Sequence, residues 1–349
     1  VMHPPQFATF HDAYRTVLRQ VHTHPHFTTE SRGNRSRECL NVAFTLTGPR
    51  QRTPYLAARR TNIVFNYAET LWYLSGRDDL VMIGHYAPRL RALSADGERL
   101  TGSAYGPRLF TPLSSTEAGQ WDQVVDLLRH DPDSKRAVMT VMRPGEPAEF
   151  DNPDVACTLA LQFLLRDGHL HMVSTMRGND AVVGLVCDVF AFTFIHEFTA
   201  IQLGAELGGY THQVSSMHIN EADLARVDAS LAEGQPPGVT DAFPAATMPA
   251  DTSWRTIEHV LRWEEGLRTN RRRFRPGQDA IGGNAALAPY WRQVVLLFEV
   301  YRQVVHQPDQ LIEAAVVAAL TPAHRWLVAH RWPERFPGSP ATAVLAEQP

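Results

Sequence analysis

Residues 154–188 read DVACTLALQFLLRDGHLHMVSTMRGNDAVVGLVCD. Cys157 precedes a short apolar run, LALQFLL (159–165). Arg166-Asp167-Gly168 is a turn signal, and a second run, HLHMVSTM (169–176), follows. Two apolar runs bounded by turn residues predict the two β-strands of a hairpin. The second run ends in the polar cluster Arg177-Gly178-Asn179-Asp180, and an apolar segment with a glycine, AVVGLVC, leads to Asp188. Strand pairing would bring Cys157 towards Arg177. A thiol beside a fixed guanidinium is more acidic and more nucleophilic. A cysteine, an arginine and two carboxylates that converge suit covalent catalysis on an anionic substrate. The same residues also fit a buried sheet cysteine with a surface ion pair, and spacing alone leaves both readings open.

The surrounding chain sets bounds. It has 349 residues, 44% of them hydrophobic, enough for one large domain or two ordinary ones with a sizeable core. A net charge of −4 gives no case for a nucleic-acid partner. Cys39, Cys157 and Cys187 show no CxxC spacing, which points to a reducing, cytoplasmic setting. The first residues, VMHPPQFATFHDAY, carry no secretory pattern. No apolar stretch approaches the ~20 residues of a membrane span, so no membrane partner is expected.

Residues 7–21 place Phe7, Phe10, Tyr14, Val17, Leu18 and Val21 at helical spacing. His22, His24 and His26 follow in HTHPH, which reads as a solvated loop, and no metal site is expected. Arg32-Gly33 falls in a loop, and LNVAFTLT alternates like a strand. Residues 61–75 predict a largely buried helix ended by Gly76, with Glu69 on its apolar face. A carboxylate there is costly unless it is hydrogen-bonded or functional. Lys135-Arg136 opens a further strand, with a surface basic pair as the plain alternative. Residues 189–208 predict a long buried helix, interrupted by Gly208-Gly209 and carrying His196 and Glu197 as a satisfied structural pair. The segment HQVSSMHINEADL reads as strand, then loop into helix. Residues 232–253, rich in Pro, Gly and Ala, read as a linker or long loop. The domain expectation is therefore 1–231, a linker at 232–253, and a helical extension at 254–349. Arg271-Arg272-Arg273 reads as a solvated helix-end cluster.

The 154–188 stretch resembles the catalytic core of the thymidylate synthase and pyrimidine-nucleotide hydroxymethylase family. The likeness continues through AETLWYLSGRDDL, DGERLTGSAYGPRL, DPDSKRAVM and GGYTHQVSSMHINEADL, in family order, and covers roughly residues 30–230. It implies an α+β, thymidylate synthase-like fold: a mixed β-sheet packed with helices, here with a helical C-terminal extension. It implies one-carbon transfer from 5,10-methylenetetrahydrofolate to C5 of a pyrimidine nucleotide, by a cytoplasmic homodimer. Cys157 matches the nucleophile that adds to C6. Arg32, Arg136 and Arg177 match phosphate-binding residues, although Arg35 and Arg37 lie close enough to Arg32 to blur that match. Lys135 stands where the family has arginine, and the 135–136 pair serves the partner's site in the family. Gly178 replaces a serine and leaves only its backbone N–H for phosphate. Asp180 and Gly184 match residues on the folate side, and Tyr105 matches a support residue. Glu69 matches a glutamate that orders water and relays protons. His218 matches the histidine that holds the sugar 3′-hydroxyl, and Asn220 departs from the family's tyrosine beside the sugar.

Asp188 stands where thymidylate synthases have asparagine. An amide pairs with uracil O4 and N3–H, whereas a carboxylate accepts from the cytosine N4 amino group. The resemblance is therefore strongest to cytidylate 5-hydroxymethylases, which add water where thymidylate synthases add hydride. Glu69, Asp188 and His218 are the water-positioning candidates. Asn220, Lys135 and Gly178 favour CMP over dCMP, as in the CMP hydroxymethylases of nucleoside-antibiotic (mildiomycin-type) biosynthesis. The alternatives are a thymidylate synthase acting on dUMP and a non-catalytic nucleotide-binding relative. The family's closing strand and C-terminal segment have no counterpart after residue 250.

Overall fold

The computed structural model describes residues 3–31, 33–112, 118–234, 242–277 and 287–338. The chain divides into two compact units: Val1–Pro54 with Ala68–Gly234, and Tyr55–Tyr67 with Gln235–Pro349.

The first unit is built on one mixed sheet. Its strands are β1 (Gln6–Phe7), β2 (Phe27–Ser31), β3 (Asn34–Leu46), β4 (Val138–Thr140), β5 (Thr158–Arg166), β6 (His169–Met176), β7 (Asn179–Asp180) and β8 (Glu206–Asn220). The order is β1-β3-β8-β6-β5-β4, with β2 pairing β3 and β7 pairing β8. β5 and β6 form the predicted antiparallel hairpin, with Arg166 opposite His169. Its two-residue turn needs positive φ at both positions, and Asp167 (48°) and Gly168 (75°) supply it. β2 and β3 form a second hairpin, with Ser31 opposite Asn34. Gly33 has φ 75° there, and Arg32 lies outside the described residues. β4 begins at Val138, so Lys135 and Arg136 precede the strand rather than open it.

Helix α1 (Phe10–Thr23) is capped by Thr9, whose hydroxyl accepts from Asp12 N at 3.2 Å. Phe10, Tyr14, Val17, Leu18 and Val21 are buried, and Phe10 stacks on Phe44 of β3 with centroids 6.2 Å apart. Burying one such side chain stabilises by about 1.5–3 kcal/mol. Next come α2 (Ile63–Leu74), α3 (Leu80–Tyr86), α4 (Gly106–Leu109) and α5 (Gln120–His130). α2 crosses the division between the units, with Glu69 on the side of the first.

Parallel strands need a crossover, and α6 (Gly184–Leu203) provides it between β6 and β8. It starts earlier than the sequence suggests and ends at Gly204, which adopts φ 65°. Gly208 and Gly209 belong to β8, not to the helix. A Cβ at Gly208 would come within 2.7 Å of Leu170 O, so close strand pairing is what selects that glycine. The expectation that no segment is long enough for a bilayer is also corrected. α6 has 20 residues and passes by length and composition, but 78% of its apolar window is buried inside the protein. His196 Nε2 lies 2.6 Å from Leu170 O, and Glu197 binds Arg50 and Arg52. α7 (Leu224–Ala232) follows β8.

The second unit contains α8 (Trp254–Arg268), α9 (Pro289–His306), α10 (Ala314–Ala319) and α11 (Pro322–Arg331). Tyr55 stacks on Phe243 at 4.5 Å and meets Trp326 edge-on at 5.7 Å. Buried Trp291 donates to Thr252, and the buried Glu299–Arg302 pair is closed by Phe274 N and Gln303.

Candidate active site

The β5–β6 hairpin positions the thiol. Cys157 is half-buried one residue before β5, and its carbonyl accepts from Arg177 N at 2.9 Å. The Arg177 guanidinium folds back on the same segment, donating to Ala156 O at 2.8 Å and Val155 O at 3.0 Å. Cys157 and Arg177 are thus held together by register and by side-chain bonds.

Asp154 fixes the approach to Cys157. Its carboxylate accepts from the backbone N–H groups of Thr101, Gly102 and Ser103, each at 2.8 Å, and from the Ser103 hydroxyl. A Cβ at Gly102 would stand 2.0 Å from Asp154 O, so the crossing requires glycine. That crossing delivers Tyr105, which stacks on Tyr73 with centroids 5.1 Å apart and on Phe192 at 6.2 Å. Burial holds both phenols well above their ordinary range, and nearby Asp188 adds to it.

Glu69 on α2 hydrogen-bonds to Tyr73 of this stack and feels the charge of Asp188, in the second turn of α6. Burial, and then the charge of Asp188, push the Glu69 carboxyl up to about 8; Arg89 and the Tyr73 hydroxyl act in the opposite sense. Burial raises Asp188 to about 7, with the Asp180 charge adding to it and a hydrogen bond with Asn179 opposing it. At neutral pH the pair holds at least one proton, which suits proton transfer.

Asn179, His212, Tyr73 and Arg89 were given no role from the sequence. Asn179 is buried, and its Nδ2 lies 3.1 Å from His212 Nε2. Burial lowers His212 to about 3, so the ring is neutral. Its Nε2 accepts from the Asn179 amide, which leaves the proton on Nδ1, 2.8 Å from the Tyr210 hydroxyl and 3.0 Å from Ser174 Oγ. This chain orients Asn179 towards Asp188. Gly184 makes room for it: a Cβ there would come 2.7 Å from Asn179 Oδ1.

The end of β8 carries the expected sugar residues. Asp180 of β7 pairs with His218, and Asp180 Oδ1 accepts from Val182 N at 2.8 Å. Burial raises the Asp180 carboxyl, and His218 opposes the rise. Across the β3–β8 ladder, Glu38 stands opposite His218 and Ser36 opposite Asn220. Ser36 donates to Asn220 Oδ1 at 2.8 Å, and Ser216 donates to Glu38. Ser36 and Glu38 also lie outside the sequence expectation, although strand alternation puts them on one face. A Cβ at Gly178 would meet only Ser216 O, at 3.7 Å, so a side chain would fit there.

Other candidates are not gathered here. Lys135 and Arg136 are exposed, and the β4–β5 register sets them beside Gln162. That is about 16 Å of strand from Cys157 within one chain. Arg35 pairs with Glu221 at 3.3 Å, and Arg37 donates to His22 O at 2.7 Å. His22 lies on α1, with Asp228 at 2.8 Å, rather than in a loop. Among the described residues, no group of three or more His, Cys, Asp or Glu could hold a metal ion.

Comparison with known proteins shows the family of the chain. The family model for thymidylate synthase matches residues 12–249. The chain is 31% identical over 202 residues to a deoxyuridylate hydroxymethyltransferase of Bacillus phage SP01, covering 54% of this chain and 51% of that protein. It is 30% identical over 230 residues to a protein of the same name from Delftia phage PhiW-14, covering 62% of each. A putative thymidylate synthase of Methanocaldococcus jannaschii is 32% identical over 119 residues, 33% of this chain and 54% of that protein. The chain thus spans about half to three-fifths of the length of the curated relatives it matches. The family match extends over more than half of the sequence, and the chain belongs to the thymidylate synthase family.

Proposed function

We propose that the protein is a cytidylate 5-hydroxymethylase: it transfers a one-carbon unit to C5 of CMP, with addition of water, giving 5-hydroxymethyl-CMP and tetrahydrofolate. Methylenetetrahydrofolate supplies the one-carbon unit as co-substrate, with Asp180 and Gly184 on its side of the site. Three relatives named deoxyuridylate hydroxymethyltransferase support a final addition of water to the methylene carried on C5. The observation that carries the choice of base is the Asp188 carboxyl, hydrogen-bonded by Asn179. In its ionised form it offers acceptors to the cytosine N4 amino group, and also to N3–H once that nitrogen is protonated.

Cys157 adds to C6 as thiolate, which makes C5 nucleophilic and divides one hard step into easier ones. Arg177, Arg32 and Arg136 bind the phosphate, with Lys135 beside Arg136 and the Gly178 N–H as a further donor. Glu69, protonated at neutral pH, serves as proton donor to the ring, and with Asp188 and His218 it positions the water. Tyr105 supports the floor. The active unit is a homodimer in which Lys135 and Arg136 serve the partner's site; their remoteness from Cys157 in one chain supports this.

A second reading keeps the hydroxymethylation and changes the base to uracil. The names of the relatives favour it, as does the Asp188 pKa near 7, because a protonated Asp188 donates to uracil O4. Release of tritium from C5-labelled CMP and dUMP separates the readings. We expect exchange from CMP with the native protein and none with Cys157→Ser, which still binds nucleotide. Exchange from dUMP alone would install the second reading, and undiminished exchange in the serine variant would remove the covalent role of Cys157.

A further inference from the structure

A row of buried side chains crosses the sheet at His212 of β8. Phe44 of β3 stands opposite it in register on one side, and Ser174 of β6 on the other. The Phe44 ring stacks on the imidazole with centroids 5.4 Å apart, which holds the ring in its plane. His212 Nδ1 lies 3.0 Å from Ser174 Oγ and 2.8 Å from the Tyr210 hydroxyl, and these two hydroxyls are 2.8 Å apart. Nε2 lies 3.1 Å from Asn179 Nδ2. Ser174, Asn179, Tyr210 and His212 are all buried. A neutral imidazole donates at one nitrogen and accepts at the other, and an amide nitrogen only donates. Nε2 therefore accepts, and the Nδ1 proton goes to the hydroxyl pair. The Asn179 amino group has two protons, one for Nε2 and one for the Asp188 carboxylate, whose ionised form it favours. Met176 Sδ, 3.2 Å from the same nitrogen, is a weak competing acceptor. A proton on Nε2 instead would call for the Asn179 carbonyl, and the same carbonyl would then face Asp188 and favour its protonated form.

We infer that His212 is a positioning residue for base choice: its Nε2 turns the donor end of the Asn179 amide towards Asp188 and keeps Asp188 a hydrogen-bond acceptor for the amino group of cytosine. This rests on reading Asp188 as the group that faces the pyrimidine. The ionisable groups that interact with Asp188 are Glu69 and Tyr73 of α2, Tyr105, Asp180 of β7 and Tyr210 of β8. All are acids, whose charges disfavour a second negative charge, and Asn179 acts in the opposite sense. Ser174 and Tyr210 thus bear on the base through the position of one imidazole proton.

Three measurements on the full chain test this. Nitrogen NMR of protein carrying isotope-labelled histidine, with His212→Gln to assign the signal, should show a neutral ring protonated at Nδ1. Infrared titration follows the Asp188 carboxyl, each protein being read against its matching Asp188→Asn form. Calorimetry gives the CMP-to-UMP binding ratio. The double variant Ser174→Ala, Tyr210→Phe removes the acceptors at Nδ1. Its ring should move the proton to Nε2, the Asp188 pKa should rise, and the CMP-to-UMP ratio should fall about tenfold or more, the usual worth of a hydrogen bond to a charged group. His212→Leu should act alike, and His212→Gln, whose carbonyl can stand in for Nε2, should restore most of both. A ring that only fills space would cost stability in these variants and leave the titration and the ratio unmoved. A native ring protonated at Nε2, or an unchanged Asp188 titration in the folded double variant, overturns the inference; where the variants do not fold, the native tautomer decides. If the titration moves and the CMP-to-UMP ratio does not, the hold of His212 on Asp188 stands and the reading of Asp188 as the base-facing group fails.

Discussion

Asp188 raises the proton affinity of Glu69: burial and the Asp188 charge together push the Glu69 carboxyl up to about 8. The two residues come from α2 and α6, far apart in sequence, and the fold sets them close enough for one charge to act on the other.

The pair makes stability depend on pH. Glu69 and Asp188 have folded-state values of about 8 and about 7, both above those of an unfolded chain. The folded chain therefore binds more protons between about pH 4 and pH 8, and stability falls as pH rises through that window. Glu69→Gln and Asp188→Asn, which cannot ionise, should flatten the fall, and Asp188→Asn should also lower the Glu69 pKa. Urea midpoints across that range and carboxyl infrared bands check both; a native protein that gains stability from rising pH, with both variants identical to it, contradicts the pairing.

Gly184→Ala should disturb Asp188 chiefly through Asn179, since the added Cβ would meet Asp188 Oδ2 only at an ordinary 3.7 Å. The added Cβ would press within 2.7 Å of Asn179 Oδ1 and push the amide off its place between His212 and Asp188. We expect a destabilisation of about 1–3 kcal/mol, typical of overpacking. We also expect a lower kcat, and a rise in the Asp188 pKa as the opposing hydrogen bond weakens. Chemical denaturation and the pH profile of kcat measure these. An unaltered pH profile would mean that Asn179 does not act on Asp188.

The hairpin and the thiol's neighbour were legible in the sequence. The Asp167-Gly168 turn between two apolar runs fixes the register that sets Arg177 against Cys157. The ends of α6 were less legible. Gly204, Gly208 and Gly209 all look like helix stops, and only strand pairing with Leu170 decides which of them lie in β8. Long-range contacts left the weakest trace. The grip of Asp154 on residues 101–103, the Asn179–His212 chain and the Ser36–Asn220 pair depend on elements distant in sequence. The assignment of residues 55–67 to the second unit has no compositional mark at all.

Asp188→Asn should turn base preference from cytosine towards uracil. The amide donates to O4, whereas the ionised carboxylate meets O4 as acceptor against acceptor. A polar mismatch of this kind shifts kcat/KM ratios by about 10²-fold or more. Measured kcat/KM for CMP and UMP in both proteins decides it, and an unchanged ratio would mean that Asp188 does not read the base.

Hybrid dimers test the cross-subunit phosphate site. Arg136→Ala and Cys157→Ser should each be nearly inactive alone. Mixed with subunit exchange, they should regain activity, because half of the sites in a hybrid dimer carry neither lesion. Exchange followed by native mass spectrometry without any recovered turnover would place Arg136 outside the partner's site.

The most direct measurement is the mass of the product formed when CMP, dCMP and dUMP are each incubated with the protein and methylenetetrahydrofolate. The account predicts CMP as the best substrate, with a product heavier by one CH₂O unit and dependent on Cys157. A methylated product, or hydroxymethylation of dUMP with CMP untouched, would contradict it.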